Sequence, residues 1–423
     1  MTKLLLRNFD LLDVEAGTLL PDRQVLLDGE LIAEVGEHIV VPPGTRQIDL
    51  GGRILMPGLI DCHVHVTAVR LDLGLAPARQ LPMSLVIAGS SRIMREMLLR
   101  GFTTVRDGGG ADRGLKLAVE QGLFTGPRLF VCGRAISQTG GHGDFRPQID
   151  QPDPGYLDHT MNGIGRIADG VPQVQRAARD EIRLGADHVK IMASGGVASV
   201  ADPIDFLQYS TAEIEAFVDE ARRAKTYVMA HTYTAEAIER CVKAGVRTIE
   251  HGNLIDQRTA ALMAEHGAYL VPTLVTYEAI AREGRALGFS EIGLSKLNKV
   301  LEVGTESLRI AKAEGVKMAY GTDLLGELHR CQSDEFRIRG AVLSAAEVIR
   351  SATLVGAEVV GLDGRLGTIA PGAFADLLVV DGDPLQDLGL LTGEGQHLAA
   401  IMKGGVFVKD ELASRPTPDR AQH

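Results

Sequence analysis

Residues 59–66 read LIDCHVHV, a short apolar run that carries His63 and His65 one residue apart. On a β-strand successive side chains point to opposite faces, so both imidazoles fall on one side while Cys62 and Val64 fall on the other. Two imidazoles side by side can share a divalent cation, because the neutral histidine nitrogen is a common ligand for zinc. Taken alone, the pair fits an ordinary polar pair equally well. The rest of the chain supplies its context.

Seven more strand-like runs follow: TTVRDGG (103–109), RLFVCGRAIS (128–137), DHVKIMAS (187–194), YVMAHTY (227–233), TIEHG (248–252), YLVPTLV (269–275) and KMAYGTD (317–323). Amphipathic helical stretches separate them, among them TAEIEAFVDEARRAK from Thr211, TAEAIERCVKAG from Thr234 and SAAEVIRSAT from Ser344, with Ser or Thr at their starts as N-caps. Strands alternating with helices predict a parallel sheet of the α/β class, and eight such units predict a closed (β/α)8 TIM barrel. Such a barrel carries its functional residues at the C-terminal ends of its strands.

Residues 3–56 and 366–410 read differently, as short alternating strands with turns predicted at Asp28-Gly29 and Gly51-Gly52. The two segments are expected to pair into one small β-sandwich. The domain reading is therefore 1–58 for the N-terminal part of that sandwich, 59–365 for the barrel, and 366–423 for the C-terminal part plus a tail. Disorder is expected from Ser414 to His423.

The formal net charge of −11 over 423 residues, with no run of Lys or Arg, speaks against a nucleic-acid partner and for a small-molecule substrate. Cys62, Cys132, Cys241 and Cys331 are widely spaced and form no CxxC pair, as expected of buried, reduced thiols. Arg7, Asp10 and Asp13 break up the N-terminal apolar run before a signal-peptide core can form, and no stretch reaches the roughly 18 apolar residues of a membrane span. A cytoplasmic enzyme without a membrane partner is the expectation.

The polar residues at the strand ends carry the chemistry. Lys190 interrupts the apolar stretch of DHVKIMAS, where an unpaired ammonium costs several kcal/mol or gives up its proton. It either reaches a carboxylate with its long stem or, as a neutral amine, adds CO2 to become a carbamate able to bridge two cations. His231 and His251 each close a short apolar strand and are separated by one helix, which places them on consecutive strands. Asp323 ends the eighth strand, where a carboxylate can ligate a metal and accept a proton, or simply cap a turn. His142 lies in the glycine-rich GGHGD loop after the third strand, a position that favours function. Tyr233 shares the direction of His231 by the period-two rule.

Ligand types at strands one, four, five, six and eight, in that order, are far more specific than any one of them. With DCHVH, Lys190, His231, His251 and GTD, and with LMPGLIDCHVH and GTIAPGAFADLLVVDGDP toward the ends, the chain resembles the amidohydrolase superfamily over nearly its whole length. KIMASGGVAS, GGHGD and HTY make it most similar to the binuclear dipeptidases that cleave Xaa-Pro and related dipeptides, and to their ochratoxin-hydrolysing relatives. The resemblance implies that His63, His65 and Asp323 hold one metal, that His231 and His251 hold the other, and that carboxylated Lys190 holds both. It implies two zinc ions, with manganese or cobalt able to substitute, and a CO2-derived carbamate on Lys190. Asp323 would be the catalytic proton carrier for a hydroxide bridging the metals, and His142 and Tyr233 would bind the substrate's carbonyl or carboxylate. Arg330 is a candidate second cation for that carboxylate. A homo-oligomer, with an octamer as one form, also follows from the resemblance alone.

Cyclic-amide hydrolases of the hydantoinase or dihydroorotase kind share the metal cage, and GGHGD and HTY are what favour linear dipeptides or N-acyl amino acids. A one-metal deaminase has no need of the strand-four lysine. A noncatalytic scaffold barrel is the reading of another class, opposed by competent residues at every ligand position.

Overall fold

The computed structural model describes residues 3–70, 81–144, 164–199 and 202–415. Its strands are β1 (Leu4–Asp13), β2 (Thr18–Asp28), β3 (Leu31–Gly36), β4 (Arg46–Pro57), β5 (Leu59–Val64), β6 (Phe102–Asp107), β7 (Arg128–Phe130), β8 (Ala135–Ser137), β9 (Gly165–Ile167), β10 (Val189–Met192), β11 (Val228–Thr234), β12 (Thr248–Leu254), β13 (Tyr269–Val271), β14 (Leu377–Val380), β15 (Leu398–Lys403) and β16 (Val406–Asp410). They form a mixed α/β fold of three sheets, ordered β16-β15-β14-β4-β1-β2-β3, β13-β12-β11-β10-β8-β9 and β5-β6-β7. The second and third sheets are parallel throughout.

The strands of both chain ends join in the seven-stranded sheet, through antiparallel pairing of β4 with β14. Alternation decides which face meets which core. Ile54, Met56, Leu378 and Val380 pack into the α/β body, while Leu55, Leu377 and Val379 point into a cluster that also contains Leu6, Phe9, Val25, Ile32 and Met402. That second cluster draws on β3 at one end of the sheet and β15 near the other, so the sheet curls around it.

The expected turn at Asp28-Gly29 is present between β2 and β3. The expected turn at Gly51-Gly52 is not: both glycines lie within β4, with φ of 67° and 72°, where the β1–β4 register jumps from Arg7↔Asp49 to Phe9↔Arg53. A pair of residues able to take positive φ is absorbed there as an irregularity in the ladder instead of reversing the chain.

Several expected strands are shorter than predicted, DHVKIMAS among them, which pairs over Val189–Met192. RLFVCGRAIS divides into β7 and β8, because Gly133 exchanges backbone hydrogen bonds with Gly110 and Ala111 at 2.7 and 3.2 Å. YLVPTLV ends at Val271, since Pro272 has no N–H to continue the ladder, and the chain enters the helix Leu274–Ala279. KMAYGTD makes an isolated parallel bridge, Leu270↔Met318, and donates or accepts single bonds at Ala319 and Tyr320 to Leu270 and Cys62.

The helix starts follow their caps. Ser344 and Thr234 cap as expected, whereas the helix Thr211–Arg223 is capped one residue earlier by Ser210, in a capping box with Glu213. All four cysteines are free and buried. No helix of the described residues is long and apolar enough to cross a membrane. Of the tail expected to be disordered, Ser414 and Arg415 are described, and Arg415 is held by Asp381 and by Glu411 at 2.5 Å; residues 416–423 lie outside the described residues.

Candidate metal centre and active site

β5 presents His63 and His65 to one side, as its alternation requires, and the last segment of the body lies against it. Asp323 and Thr322 both donate their backbone N–H to the carbonyl of His63, at 2.7 and 3.2 Å. Asp61 completes that junction: its carboxylate accepts His63 N at 3.0 Å, Thr322 Oγ1 at 2.7 Å and Gln332 Nε2 at 2.9 Å. Burial pushes the Asp61 carboxyl up to about 6 despite those donors.

The Asp323 carboxylate sits between the two imidazoles, with Oδ1 3.1 Å from His65 Nε2 and 3.5 Å from His63 Nε2. Its Oδ2 lies 4.0 Å from His251 Nδ1. Burial acts to raise this carboxyl, but the His63 charge and the His65 hydrogen bond hold it well below the ordinary carboxylate range. Among the described residues, His63, His251 and Asp323 form a group in which each offers a ligand atom within 4.8 Å of the others.

One ring nitrogen of each histidine is anchored, and at His63, His65 and His231 a carboxylate or carbonyl acceptor makes that nitrogen the protonated one. His63 Nδ1 donates to Glu250 Oε2 at 2.8 Å, and His65 Nδ1 to the Gly109 carbonyl at 3.0 Å. His231 is held by Nε2, which donates to the Gly195 carbonyl at 3.2 Å, and His251 Nδ1 lies 2.8 Å from Thr273 Oγ1 and 3.1 Å from the Tyr277 hydroxyl. Nε2 of His63 and of His65 thus face the Asp323 carboxylate, and the ring nitrogen of His231 left open by the Gly195 contact is Nδ1. Burial lowers the pKa of His63 and His231 far below the usual value and that of His251 to about 3, so these rings are neutral and able to ligate at neutral pH.

The rings form a continuous run, with centroid separations of 5.4 Å for His65 to His63, 5.1 Å for His63 to His251, 4.5 Å for His251 to His231 and 4.2 Å for His231 to His142. β11 and β12 pair in parallel, which sets His231 and His251 on neighbouring strands. Two of these residues carry a strained backbone: His251 and Asp323 have φ of 71° and 51°, in the left-handed region that residues other than glycine seldom occupy.

Lys190, on β10, is 1% exposed, and among the described residues its ammonium makes no hydrogen bond and no ion pair. Burial lowers its pKa, partly offset by Glu250 and Asp323. A buried amine without a hydrogen bond or ion pair, four buried histidines whose rings follow one another and one low-pKa carboxylate are the donor types that two divalent cations and a bridging carbamate require, so the residues present fit such a group.

The candidate substrate residues border this run. His142 stacks on His231 at an interplanar angle of 17°, and its Nδ1 lies 2.8 Å from Ser199 Oγ and 3.4 Å from Asp202 Oδ2. Tyr233 stacks on His251 and shares a 2.8 Å hydroxyl–hydroxyl bond with Tyr277. Arg330 does not join them: it is half-exposed, with its guanidinium taken up by the Glu283 carboxylate and by the Glu327 carbonyl at 2.5 Å.

The sequence reading did not single out Glu250, Arg106, Thr273, Tyr277, Asp202 or Ser199. Arg106 is wholly buried, with its guanidinium bonded to Glu250 Oε1 at 2.8 Å, to the Cys62 carbonyl at 2.7 Å and to Thr248 Oγ1 at 3.0 Å. The signal was available in TTVRDGG and TIEHG, where a charge interrupts a strand that is otherwise apolar, as it does at Lys190.

The chain is similar to known proteins over nearly its whole length. The profile of the Amidohydrolase family matches residues 54–407. An ochratoxinase from Aspergillus niger is 30% identical over 94% of this chain and 86% of its own length. A prolidase solved in complex with N-methylphosphonate-L-proline superposes with a TM-score of 0.94 at 51% identity, covering 97% of this chain and 100% of that one. A Xaa-Pro dipeptidase with methionine bound in its active site superposes with a TM-score of 0.87 at 30% identity, covering 96% of this chain and 100% of that one. The chain belongs to the amidohydrolase family and is a hydrolytic enzyme that acts on amide bonds.

Proposed function

We propose that this enzyme is a binuclear metal-dependent amidase that releases an amino acid from a linear dipeptide or an N-acyl amino acid. The observations that carry the proposal are the buried Lys190 amine, without a hydrogen bond or ion pair among the described residues, and the cluster in which His63, His251 and Asp323 bring ligand atoms within 4.8 Å of one another, with His65 3.1 Å from Asp323. His63, His65 and Asp323 would hold one cation, His231 and His251 the second, and carboxylated Lys190 both, with zinc favoured by the mixture of imidazole and carboxylate. Bound there, the cations would supply Lewis acidity and a hydroxide available near neutral pH.

The remaining work falls to the chain. Asp323, kept ionised by its histidine neighbours, takes a proton at a carboxylate oxygen and passes it to the departing amine. His142 has Nδ1 engaged by Ser199 and Asp202, so its contact with the substrate carbonyl or carboxylate is made through Nε2. Tyr233, whose pKa is raised by burial and by Tyr277, remains a neutral donor to the same group. Similarity to prolidases and to an ochratoxinase supports a linear substrate with a free carboxylate.

The fold assignment that accompanies this reading takes residues 59–365 as one (β/α)8 barrel, with 1–58 and 366–423 forming the small β domain. It is supported by backbone links between the two parallel sheets: Asp187 N, just before β10, to Val131 O, just after β7, at 2.7 Å, and, by way of the segment 318–320, Cys62 N to Tyr320 O at 2.8 Å and Ala319 N to Leu270 O at 2.9 Å.

The test is hydrolysis, with and without a chelator, of Xaa-Pro dipeptides, N-acyl-phenylalanine amides including ochratoxin A, and a hydantoin. Chelator-sensitive release of an amino acid from the linear compounds is expected. Activity confined to the hydantoin would overturn the substrate assignment, and activity indifferent to exhaustive metal removal would overturn the metal centre.

A further inference from the structure

We propose that Lys296 is a positioning residue, which clamps the loop behind His142 and so fixes that ring against the metal centre; the inference rests on the reading of His142 as a substrate contact. Lys296 belongs to the helix Glu291–Leu301 and is half-buried. Its ammonium donates to three carbonyls of a single loop: Gly196 O at 3.0 Å, Ser199 O at 2.8 Å and Asp202 O at 2.5 Å. A lysine ammonium has three donors, and all three are used here, which leaves none for a substrate carboxylate.

The same loop makes the socket for His142. Ser199 Oγ and Asp202 Oδ2 address Nδ1 of the ring at 2.8 and 3.4 Å, and Asp202 Oδ2 is itself held by Gly196 N at 3.1 Å and Gln208 Nε2 at 3.2 Å. Gln208 Oε1 accepts the backbone N–H of His142 at 2.9 Å. Gly196 forms one wall: a Cβ there would come within 2.2 Å of His142 Cε1, so the ring occupies the space that the glycine leaves. His231 forms the opposite wall by stacking, and Gly195 of the same loop anchors His231.

Ser199 and Asp202, which address the His142 ring, thus belong to a loop whose carbonyls converge on one ammonium. Releasing those carbonyls frees Ser199 and Asp202 to move relative to the ring. The imidazole then loses its fixed angle to the metal ligands, although no ligand is removed.

A double-mutant cycle tests this on the metal-loaded enzyme, with Lys296→Met, His142→Ala and the double variant. The readouts are kcat and KM on a Xaa-Pro dipeptide or an N-acyl phenylalanine, together with metal content and Tm. Lys296→Met is expected to lose about ten- to a hundredfold in kcat/KM with its metal retained. In the His142→Ala background the same substitution should cost nothing further. A loss that adds to that of His142→Ala, full activity in Lys296→Met, or loss of metal with it would each overturn the clamp alone. A silent His142→Ala would overturn the substrate contact, and the purpose of the clamp with it. Should Lys296→Met fail to fold, Lys296→Gln, which keeps a donor for one carbonyl, goes through the same cycle.

Discussion

Nδ1 of His63 donates to Oε2 of Glu250 across 2.8 Å, with both side chains fully buried. The carboxylate that orients this ring is fixed in turn by Arg106, so the angle of a metal-facing nitrogen is set two residues away from it. Glu250→Gln should therefore lower metal affinity by about ten- to a hundredfold, read by titration with a competing chelator. It should also destabilise the fold, by up to about 3–5 kcal/mol, because the Arg106 guanidinium loses its charge partner in the interior. Unchanged metal affinity would show that the Glu250 contact does not set the ligand.

Asp323→Asn keeps an oxygen near His63 and His65 but cannot carry a proton. Turnover should fall by about 10²- to 10⁴-fold, with much of the bound metal retained. Elemental analysis beside steady-state kinetics separates the two effects, and near-wild-type kcat would remove Asp323 from proton transfer.

Lys190 is expected to take up carbon from labelled bicarbonate, giving a carbamate signal in carbon-13 spectra of the metal-loaded protein. Lys190→Ala should lose that signal together with metal and activity. A short carboxylic acid added at high concentration should restore part of both, since it supplies the missing anionic oxygens. An unlabelled, fully active wild-type enzyme would leave Lys190 as an amine.

His329 lies outside the proposed ligand set and gives a clean pH test. Burial and the nearby Arg100 depress its pKa from 6.5 to about 3, and its Nε2 donates to the Ala68 carbonyl at 3.2 Å. Between those two pH values the unfolded chain binds a proton that the folded chain refuses. Stability from this group is therefore complete above pH 6.5 and is lost as pH falls, by up to about 1.4 kcal/mol per pH unit. His329→Gln should show a shallower fall of Tm between pH 6.5 and pH 4 than the wild type. Parallel slopes would mean that His329 charges without cost.

What was legible in the sequence was whatever a local period could encode. His63 and His65 share a face because strands alternate, and Lys190 stands out because a charge in an apolar strand needs a reason. The same rule applied to Arg106 and Glu250, but an ion pair between distant strands becomes visible only when both are seen in one layer. Ser199 and Asp202 reach His142, and Lys296 reaches their carbonyls, through contacts between distant segments that leave no periodic trace. The eighth strand was legible as a ligand carrier through Asp323, yet it pairs only at Met318, since its path follows backbone bonds to His63 and Cys62 more than a ladder. Arg330 was legible only as a charge, and Glu283 had the nearer claim on it.

The pairing of β4 with β14 has a consequence for biosynthesis. Ile54 meets Val380 and Met56 meets Leu378, so one neighbour of β4 is synthesised only after the whole catalytic body that lies between the two strands. At typical elongation rates of about 5–20 residues per second, that edge waits on the order of tens of seconds. Throughout that time β4 offers an apolar face and unpaired amides to any other nascent chain. Aggregation during rapid overexpression, relieved by slower synthesis or by a holding chaperone, is the behaviour to expect of a protein in which β4 and β14 must find each other across an entire catalytic body.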